Sequence, residues 1–167
     1  AHQAGRVRVT EVRACDFVGP GAQSALGERV LSRVRHGKNV SVLGDASRLH
    51  TWSFTDDVAA MLVVAGSDPR AWGRAWHAPS NEPRSQRQVI EDFARAAGIG
   101  QVRVGTLPPV LMRGMGLVSP LMRELRETEY QFRYDFVMDS SAAEAAFDLK
   151  PTPWAEVVAV TVRGRER

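Results

Sequence analysis

The stretch EVRACDFVGPGA, residues 11–22, decides the fold class of this chain. It continues an apolar alternation that predicts a strand over residues 7–12, and it runs into a turn containing Gly19, Pro20 and Gly21. In open α/β sheets, ligands bind where strands end in such turns. The stretch therefore predicts a binding site at the end of a strand, close to the first residue of the sequence.

Strands and helices alternate along the following residues. The apolar patterns predict strands at 7–12, 40–43, 50–54, 75–78 and 101–104, and helices at 23–35 and from 57 to a stop at Gly66. Asp56 is the predicted cap of the second of these helices. A third helix has a capping box of Ser85 and Gln88 and a stop at Gly98. This alternation predicts an α/β fold.

The pattern becomes helical from residue 108 onward. Segments 110–117 and 121–130 are rich in Met and Leu and are predicted to be helices, in which the methionines fill gaps in the core. Ser141 and Glu144 match a second capping box for a short helix. The last helix is predicted to start with Thr152 as its cap and Pro153 in its first turn.

Composition excludes several classes of protein. A chain of 167 residues with 44% hydrophobic residues can bury a core as one domain. Its net charge of +3 comes from 22 basic and 19 acidic side chains that are scattered, so a nucleic-acid partner is not expected. The single cysteine, Cys15, cannot form an internal disulfide framework. The sequence contains no signal peptide or membrane-spanning run, which predicts a cytoplasmic protein without a membrane partner.

The usual catalytic and cofactor motifs are absent from the sequence. It contains no G-x-G-x-x-G fingerprint, no P-loop and no G-x-S-x-G elbow. The four histidines are spread out and none forms an H-x-x-x-H pair, so no metal site is predicted. The residues by themselves therefore predict a soluble α/β domain with a strand-end turn and give no reaction.

Three stretches, taken together, resemble the C-terminal half of an NAD(P)-dependent epimerase/dehydratase of the extended short-chain dehydrogenase/reductase family. RACDFVGPG at 13–21 resembles the strand end R-P-x-N-x-Y-G-P-G. Residues 37–59, which include GD at 44–45 and WSFTDDVA at 52–59, are similar to G-x-x-x-x-x-x-G-x-G followed by R-x-F-x-Y-V-D-D-V-A. Residues 137–154 resemble a short helix ending in F/L-G-x-x-P before a final helix.

The resemblance implies one continuous unit over residues 1–167. Its fold would be the C-terminal part of a Rossmann-like doubly wound parallel sheet with a small, mostly helical substrate-binding subdomain. The N-terminal dinucleotide-binding half, with its glycine fingerprint and Tyr-x-x-x-Lys pair, would be a missing partner. The only tyrosines are Tyr130 and Tyr134 and the only lysines Lys38 and Lys150, so the chain contains no such pair. The resemblance also implies NAD or NADP as cofactor and leaves a homodimer open.

The resemblance assigns roles to eight residues, none of them catalytic. The cofactor-binding residues would be Ala14, Cys15 and Phe17. The substrate-binding residues would be Asp16, Val18, Arg48, His50 and Trp52. Asp16 replaces the Asn usual in the family, and a carboxylate there accepts hydrogen bonds, which fits a hydroxyl-bearing small molecule better than an anionic one. His50 stands where nucleotide-sugar enzymes commonly have a phosphate-binding Arg, and Arg48 could partly substitute for it.

Two alternatives remain open at this point. A small buried residue in a strand explains Cys15 better than a redox role does, and core packing explains Trp52 as simply as substrate binding. The whole chain could also be a non-catalytic binding or regulatory protein that has kept the fold and lost the chemistry, because fold does not determine function.

Overall fold

A computed structural model describes residues 7–106 and 129–164 of the chain. The described residues form eight strands and five α-helices. The strands are β1 (Glu11–Arg13), β2 (Asp16–Val18), β3 (Val40–Val42), β4 (Leu49–His50), β5 (Trp52–Phe54), β6 (Ala75–His77), β7 (Arg84–Ser85) and β8 (Val104–Thr106). The helices are α1 (Glu28–Arg35), α2 (Thr55–Ser67), α3 (Gln86–Ala96), α4 (Ser141–Phe147) and α5 (Trp154–Arg163).

The chain folds into two compact units. The first unit consists of Ala1–Ala22, Thr51–Glu82 and Met138–Arg167, and the second of Gln23–His50 and Pro83–Val137. Each unit is therefore assembled from segments that are distant in the sequence.

Two parallel strand pairs organise the first unit. β1 pairs with β6, and β2 pairs with β5, so one chain segment changes its partner between residues 13 and 16. Helix α2 packs against β1 and β5, and its buried residues Val58 and Met61 join a core that also includes Trp76. The Trp76 indole N–H donates to the Ala71 carbonyl at 2.9 Å, and its ring packs edge-on against Phe147.

The second unit combines one parallel and one antiparallel pair. β3 pairs with β8 in parallel, and β4 pairs with β7 in antiparallel register. Helix α1 packs on α3 and on β3. The core consists of apolar side chains from these elements, namely Leu26, Val30, Leu31, Val34, Val40, Val42, Val89, Ile90, Phe93, Ala94 and Val104.

The α/β class with parallel strands is confirmed, and so is the third predicted helix. The Ser85 hydroxyl accepts from the Gln88 N–H at 3.2 Å while the Gln88 side chain accepts from the Ser85 N–H at 2.8 Å. Gly98 follows the helix with a φ of +69°. The first strand is shorter than predicted and shifted to Glu11–Arg13, because its partner β6 has only three residues.

Two helices begin at residues other than those predicted. α1 starts at Glu28 rather than 23, with Gly27 as its N-cap, since glycine is a poor helix former and ends the preceding turn. α2 starts at Thr55, so the prediction that Asp56 caps it is wrong. The neighbouring Asp57 accepts hydrogen bonds from the N–H and the hydroxyl of Thr152, at 2.9 and 2.7 Å, which ties the start of α2 to the segment before α5.

The last two predicted helix starts are each off by one residue, with α4 predicted one residue too late and α5 one residue too early. Ser140 takes the N-cap position of α4, and its hydroxyl donates to Glu144 at 2.6 Å in place of the predicted Ser141 box. α5 starts at Trp154 with Pro153 as N-cap, because Thr152 is engaged by Asp57. The predicted helix at 110–117 lies outside the described residues, as does nearly all of that at 121–130. Among the described helices, none is long and apolar enough to cross a membrane.

Candidate functional site

The carboxyl ends of β2 and β5 lie side by side in the first unit. Asp16 is in register with Trp52, Phe17 with Ser53 and Val18 with Phe54. β2 leads into the turn at Gly19, and β5 leads directly into α2 at Thr55. Parallel strand ends followed by a tight turn and a helix start are the usual place of ligand sites in α/β sheets.

Gly19 permits the close approach of these two segments. Its φ is +144°, in the region that favours glycine, and a Cβ at this position would collide with the Thr55 hydroxyl. The ring of Phe54 would stand 3.4 Å from the same Cβ. The glycine of the opening stretch therefore has a steric role where β2 ends beside α2.

Asp16 and Phe17 are the predicted site residues that reach solvent at this strand end. Phe17 is 38% exposed, although it is a large apolar side chain in a strand. Asp16 is half-buried, and its carboxylate accepts a hydrogen bond from the Phe17 N–H at 3.1 Å. An exposed aromatic ring and a half-buried carboxylate thus occupy consecutive positions of β2.

Cys15 lies in the short break between β1 and β2. Its N–H donates to the Ser53 hydroxyl at 2.9 Å. Burial raises the pKa of the Cys15 thiol to about 11, so the side chain is neutral at physiological pH. A neutral, half-buried thiol is a poor nucleophile, which favours a packing role for the side chain. Ala14 beside it packs partly against the core of the first unit.

Val18 and Trp52 are buried within the first unit. Trp52 is 2% exposed, and Val18 is nearly as inaccessible. Both belong to the paired segments β2 and β5, where they stabilise the strand end from within. Their assignment as substrate-binding residues stays a prediction.

His50 and Arg48 belong to the second unit. His50 is 1% exposed and its ring stacks on Phe132 and Phe136, with centroids 5.0 and 5.5 Å away. Arg48 is exposed and pairs with Asp45 at 3.3 Å. The guanidinium therefore meets solvent while the imidazole packs between aromatic rings.

Burial lowers the pKa of His50 from its usual 6.5 to about 4. The unfolded chain takes up a proton at this histidine near pH 6.5 and the folded chain only near pH 4, so folding stability is lost as the pH falls between these values. We expect the free energy of unfolding to drop by about 2 kcal/mol through this window from His50 alone. Urea titrations at several pH values will measure it.

The variant H50Q removes this contribution, so its free energy of unfolding should depend less steeply on pH between 6.5 and 4. S41A, at the exposed serine of β3, removes no titratable group and is the control, which should keep the wild-type slope. Equal slopes for wild type and H50Q would contradict the assignment.

Sequence reasoning missed three serines beneath the strand end. The hydroxyls of Ser53 and Ser80 are 3.3 Å apart, and the Ser140 hydroxyl accepts from the Ser80 N–H at 3.2 Å. No motif marks these residues, since each is an ordinary small polar residue in its own segment. In the described part of the chain, no cluster of His, Cys, Asp and Glu could hold a metal ion.

Comparisons with known proteins agree with this fold. Residues 1–77 match the model of the NAD dependent epimerase/dehydratase family. No curated protein matches the chain. Among solved structures, epimerase Mth375 from Methanothermobacter thermautotrophicus is similar at 15% identity with a TM-score of 0.70, over 97% of this chain and 44% of that one.

Two further structures are similar to the same extent. A UDP-glucuronic acid 4-epimerase from Bacillus cereus, in complex with UDP-glucuronic acid and NAD, matches at 15% identity and a TM-score of 0.71, over 97% of this chain and 46% of its own. RMD from Pseudomonas aeruginosa, complexed with NADPH, matches at 15% identity and a TM-score of 0.69, over 96% of this chain and 49% of its own. The chain thus has a Rossmann-like α/β fold and spans about half the length of these proteins.

Proposed function

We propose that this chain is the C-terminal, substrate-binding half of an NAD(P)-dependent oxidoreductase or epimerase that acts on a small molecule bearing hydroxyl or carbonyl groups. The observation that carries the proposal is the strand end of β2 and β5, with Asp16 and Phe17 beside the Gly19 turn. This strand end lies within the segment that matches the epimerase/dehydratase family. The dinucleotide-binding half and its Tyr-x-x-x-Lys pair are proposed to be a separate part of the enzyme.

Three residues of this chain are proposed to face the cofactor, namely Ala14, Cys15 and Phe17. The exposed ring of Phe17 offers an apolar surface of the kind that a nicotinamide ring can contact, and the Cys15 thiol adds no charge there. When bound, NAD or NADP supplies the hydride acceptor or donor. The residues of this chain would orient it and restrict access of water.

Asp16 and Arg48 are proposed as substrate-binding residues, each considered within its own unit. An ionised Asp16 accepts hydrogen bonds and cannot donate them, which suits a hydroxyl group. Arg48 has an exposed guanidinium that can bind an anionic group. His50, buried and stacked between two rings, is unsuited to contact a phosphate, and this favours a substrate other than a nucleotide sugar.

A partner half is supported by the surroundings of β1. The N–H of Glu11 and the carbonyl of Arg13 bond toward β6, so the peptide groups of Val12 point to the opposite edge, where the structure describes no strand. Val7 and Val9 are 52% and 48% exposed. Parallel sheets are normally covered on both faces, so a further strand and helix are proposed to complete this one.

The proposal predicts that the 167-residue chain alone has no NAD(P)-dependent turnover, because it contains no Tyr-Lys pair for proton transfer. Joined to a dinucleotide-binding half that carries this pair, it should oxidise or epimerise hydroxyl substrates. Oxidation or reduction is measured by absorbance of the reduced cofactor across a panel of alcohols and carbonyl compounds. Epimerisation, which regenerates the cofactor, is measured by NMR of the substrate stereocentre.

The variant D16A tests the strand end in the joined protein. It should lower kcat/KM by about tenfold or more, the effect of losing a hydrogen bond to a charged group, while D135A, an exposed Asp of the second unit, should not. Robust turnover by the chain alone would overturn the proposal. Cofactor binding by the joined protein without turnover of any substrate would instead support a binding or regulatory protein.

A further inference from the structure

A directed chain of hydroxyl groups runs beneath the strand end of the first unit. It begins at the Cys15 N–H, which donates to the Ser53 hydroxyl at 2.9 Å. The Ser80 hydroxyl donates to the Ala78 carbonyl at 3.0 Å. Since the Ser80 proton is used in this way, the 3.3 Å contact between the two serines is a bond that Ser53 donates to Ser80.

Two further hydrogen bonds hold the backbone of Ser80. The Ser80 N–H donates to the Ser140 hydroxyl at 3.2 Å, and that hydroxyl donates to Glu144 at 2.6 Å. Ser53 and Ser140 are buried, and a buried network in which each member is satisfied holds its groups in one orientation. Four separate segments of the first unit are joined through these bonds.

The network acts on one peptide group, that between Ala14 and Cys15. This peptide lies in the gap where β1 has left β6 and β2 has not yet joined β5. The peptide is planar and trans, so holding the Cys15 N–H toward Ser53 turns the Ala14 carbonyl in the opposite direction. The Ser53 side chain therefore fixes the Ala14–Cys15 peptide, which the hydrogen bonds of the β1–β6 and β2–β5 pairs leave unfixed.

We infer that Ser53 is a positioning residue, which holds the Ala14–Cys15 peptide so that it presents a fixed backbone face to the nicotinamide end of a bound dinucleotide. The identity of the ligand rests on the proposed function. The positioning of the peptide rests on the hydrogen bonds of Ser53 described above. Ser80 acts through Ser53 by accepting a hydrogen bond from its hydroxyl. Ser140 and Glu144 hold the backbone N–H of Ser80.

The first test uses the chain as it stands and needs no ligand. In S53A, amide hydrogen exchange at Cys15 should become about tenfold faster, the loss expected for one hydrogen bond, while exchange at Val18 is unchanged. S53T keeps a hydroxyl and should restore the protection of Cys15. S41A, at the exposed serine of β3, is the matched control. Unchanged protection of Cys15 in S53A would overturn the inference.

The second test compares two ligands on the protein joined to a dinucleotide-binding half. ADP-ribose lacks the nicotinamide, so S53A should weaken NAD binding by about tenfold and leave ADP-ribose binding as in the wild type. Equal weakening of both ligands, or of neither, would overturn the role toward the cofactor. Failure of the wild type to bind either ligand would overturn the proposed function, and the exchange test would still decide whether Ser53 fixes the peptide.

Discussion

Replacing Gly19 with alanine should lower the free energy of unfolding of the first unit by about 3 kcal/mol. Two costs combine in this variant. Gly19 has a φ of +144°, which a residue with a Cβ adopts only with strain, and the new Cβ would collide with the Thr55 hydroxyl. Urea unfolding followed by tryptophan fluorescence will measure the loss, because all four tryptophans lie in the segments of the first unit.

Gly21 is the matched control, two residues further along the same turn. Its φ is +75°, but nothing lies within 4 Å of the position of a Cβ. G21A should therefore cost only the backbone strain, about 1 kcal/mol. A G19A/T55A double variant should recover part of the loss. If G19A and G21A lower the free energy of unfolding equally, the contact with Thr55 does not explain why residue 19 is a glycine.

Replacing Gly44 with alanine should destabilise the second unit by a similar amount, about 3 kcal/mol. Gly44 has a φ of +68°, and its added Cβ would collide with the backbone carbonyl of Phe132 and stand 2.7 Å from the Phe132 Cβ. The same segment is held by a 2.7 Å hydrogen bond from the Asp45 N–H to the Phe132 carbonyl. The variant should therefore displace Phe132 and the His50 ring that stacks on it.

Circular dichroism during urea unfolding measures this loss, and G98A is the control. Gly98 has nearly the same φ, +69°, with nothing within 4 Å of its Cβ position. G98A should therefore lower the free energy of unfolding by only about 1 kcal/mol. A further check is the pH dependence of the free energy of unfolding. By exposing the ring, G44A should raise the pKa of His50 toward its ordinary value and make this dependence less steep. A G44A cost no greater than that of G98A would contradict the packing described for Phe132.

Local sequence signals predicted the elements that depend on local interactions. The capping box of Ser85 and Gln88 needs only residues three apart, and the Gly98 stop needs only one glycine after the helix. The strand end at Asp16 was recognisable because a strand and a Gly-Pro-Gly turn adjoin in the sequence. These features do not depend on what the rest of the chain contributes.

Helix caps were mispredicted where a side chain forms a hydrogen bond with a residue distant in the sequence. Asp57 accepts hydrogen bonds from Thr152, 95 positions away, and Thr152 is therefore engaged elsewhere instead of capping α5. Ser140 bonds Glu144 and Ser80, so it takes the role expected of Ser141. The sequence around Asp57 and Ser140 does not predict these distant partners.

The same limit applies to the site. Asp16 and Phe17 could be placed at the strand end because the turn follows them directly. The burial of His50 between Phe132 and Phe136 could not be foreseen, since both rings come from a segment more than 80 positions later. Ser53 was missed for the same reason, because its role depends on contacts with Cys15 and Ser80.

The central claim is that these 167 residues work together with a dinucleotide-binding half. The most direct measurement is to determine the coding sequence upstream of Ala1. We expect a glycine-rich fingerprint after a first strand and a Tyr-x-x-x-Lys pair shortly before Ala1, both in the same reading frame. A start codon close to Ala1, or an upstream sequence in which the pair is broken, would contradict it.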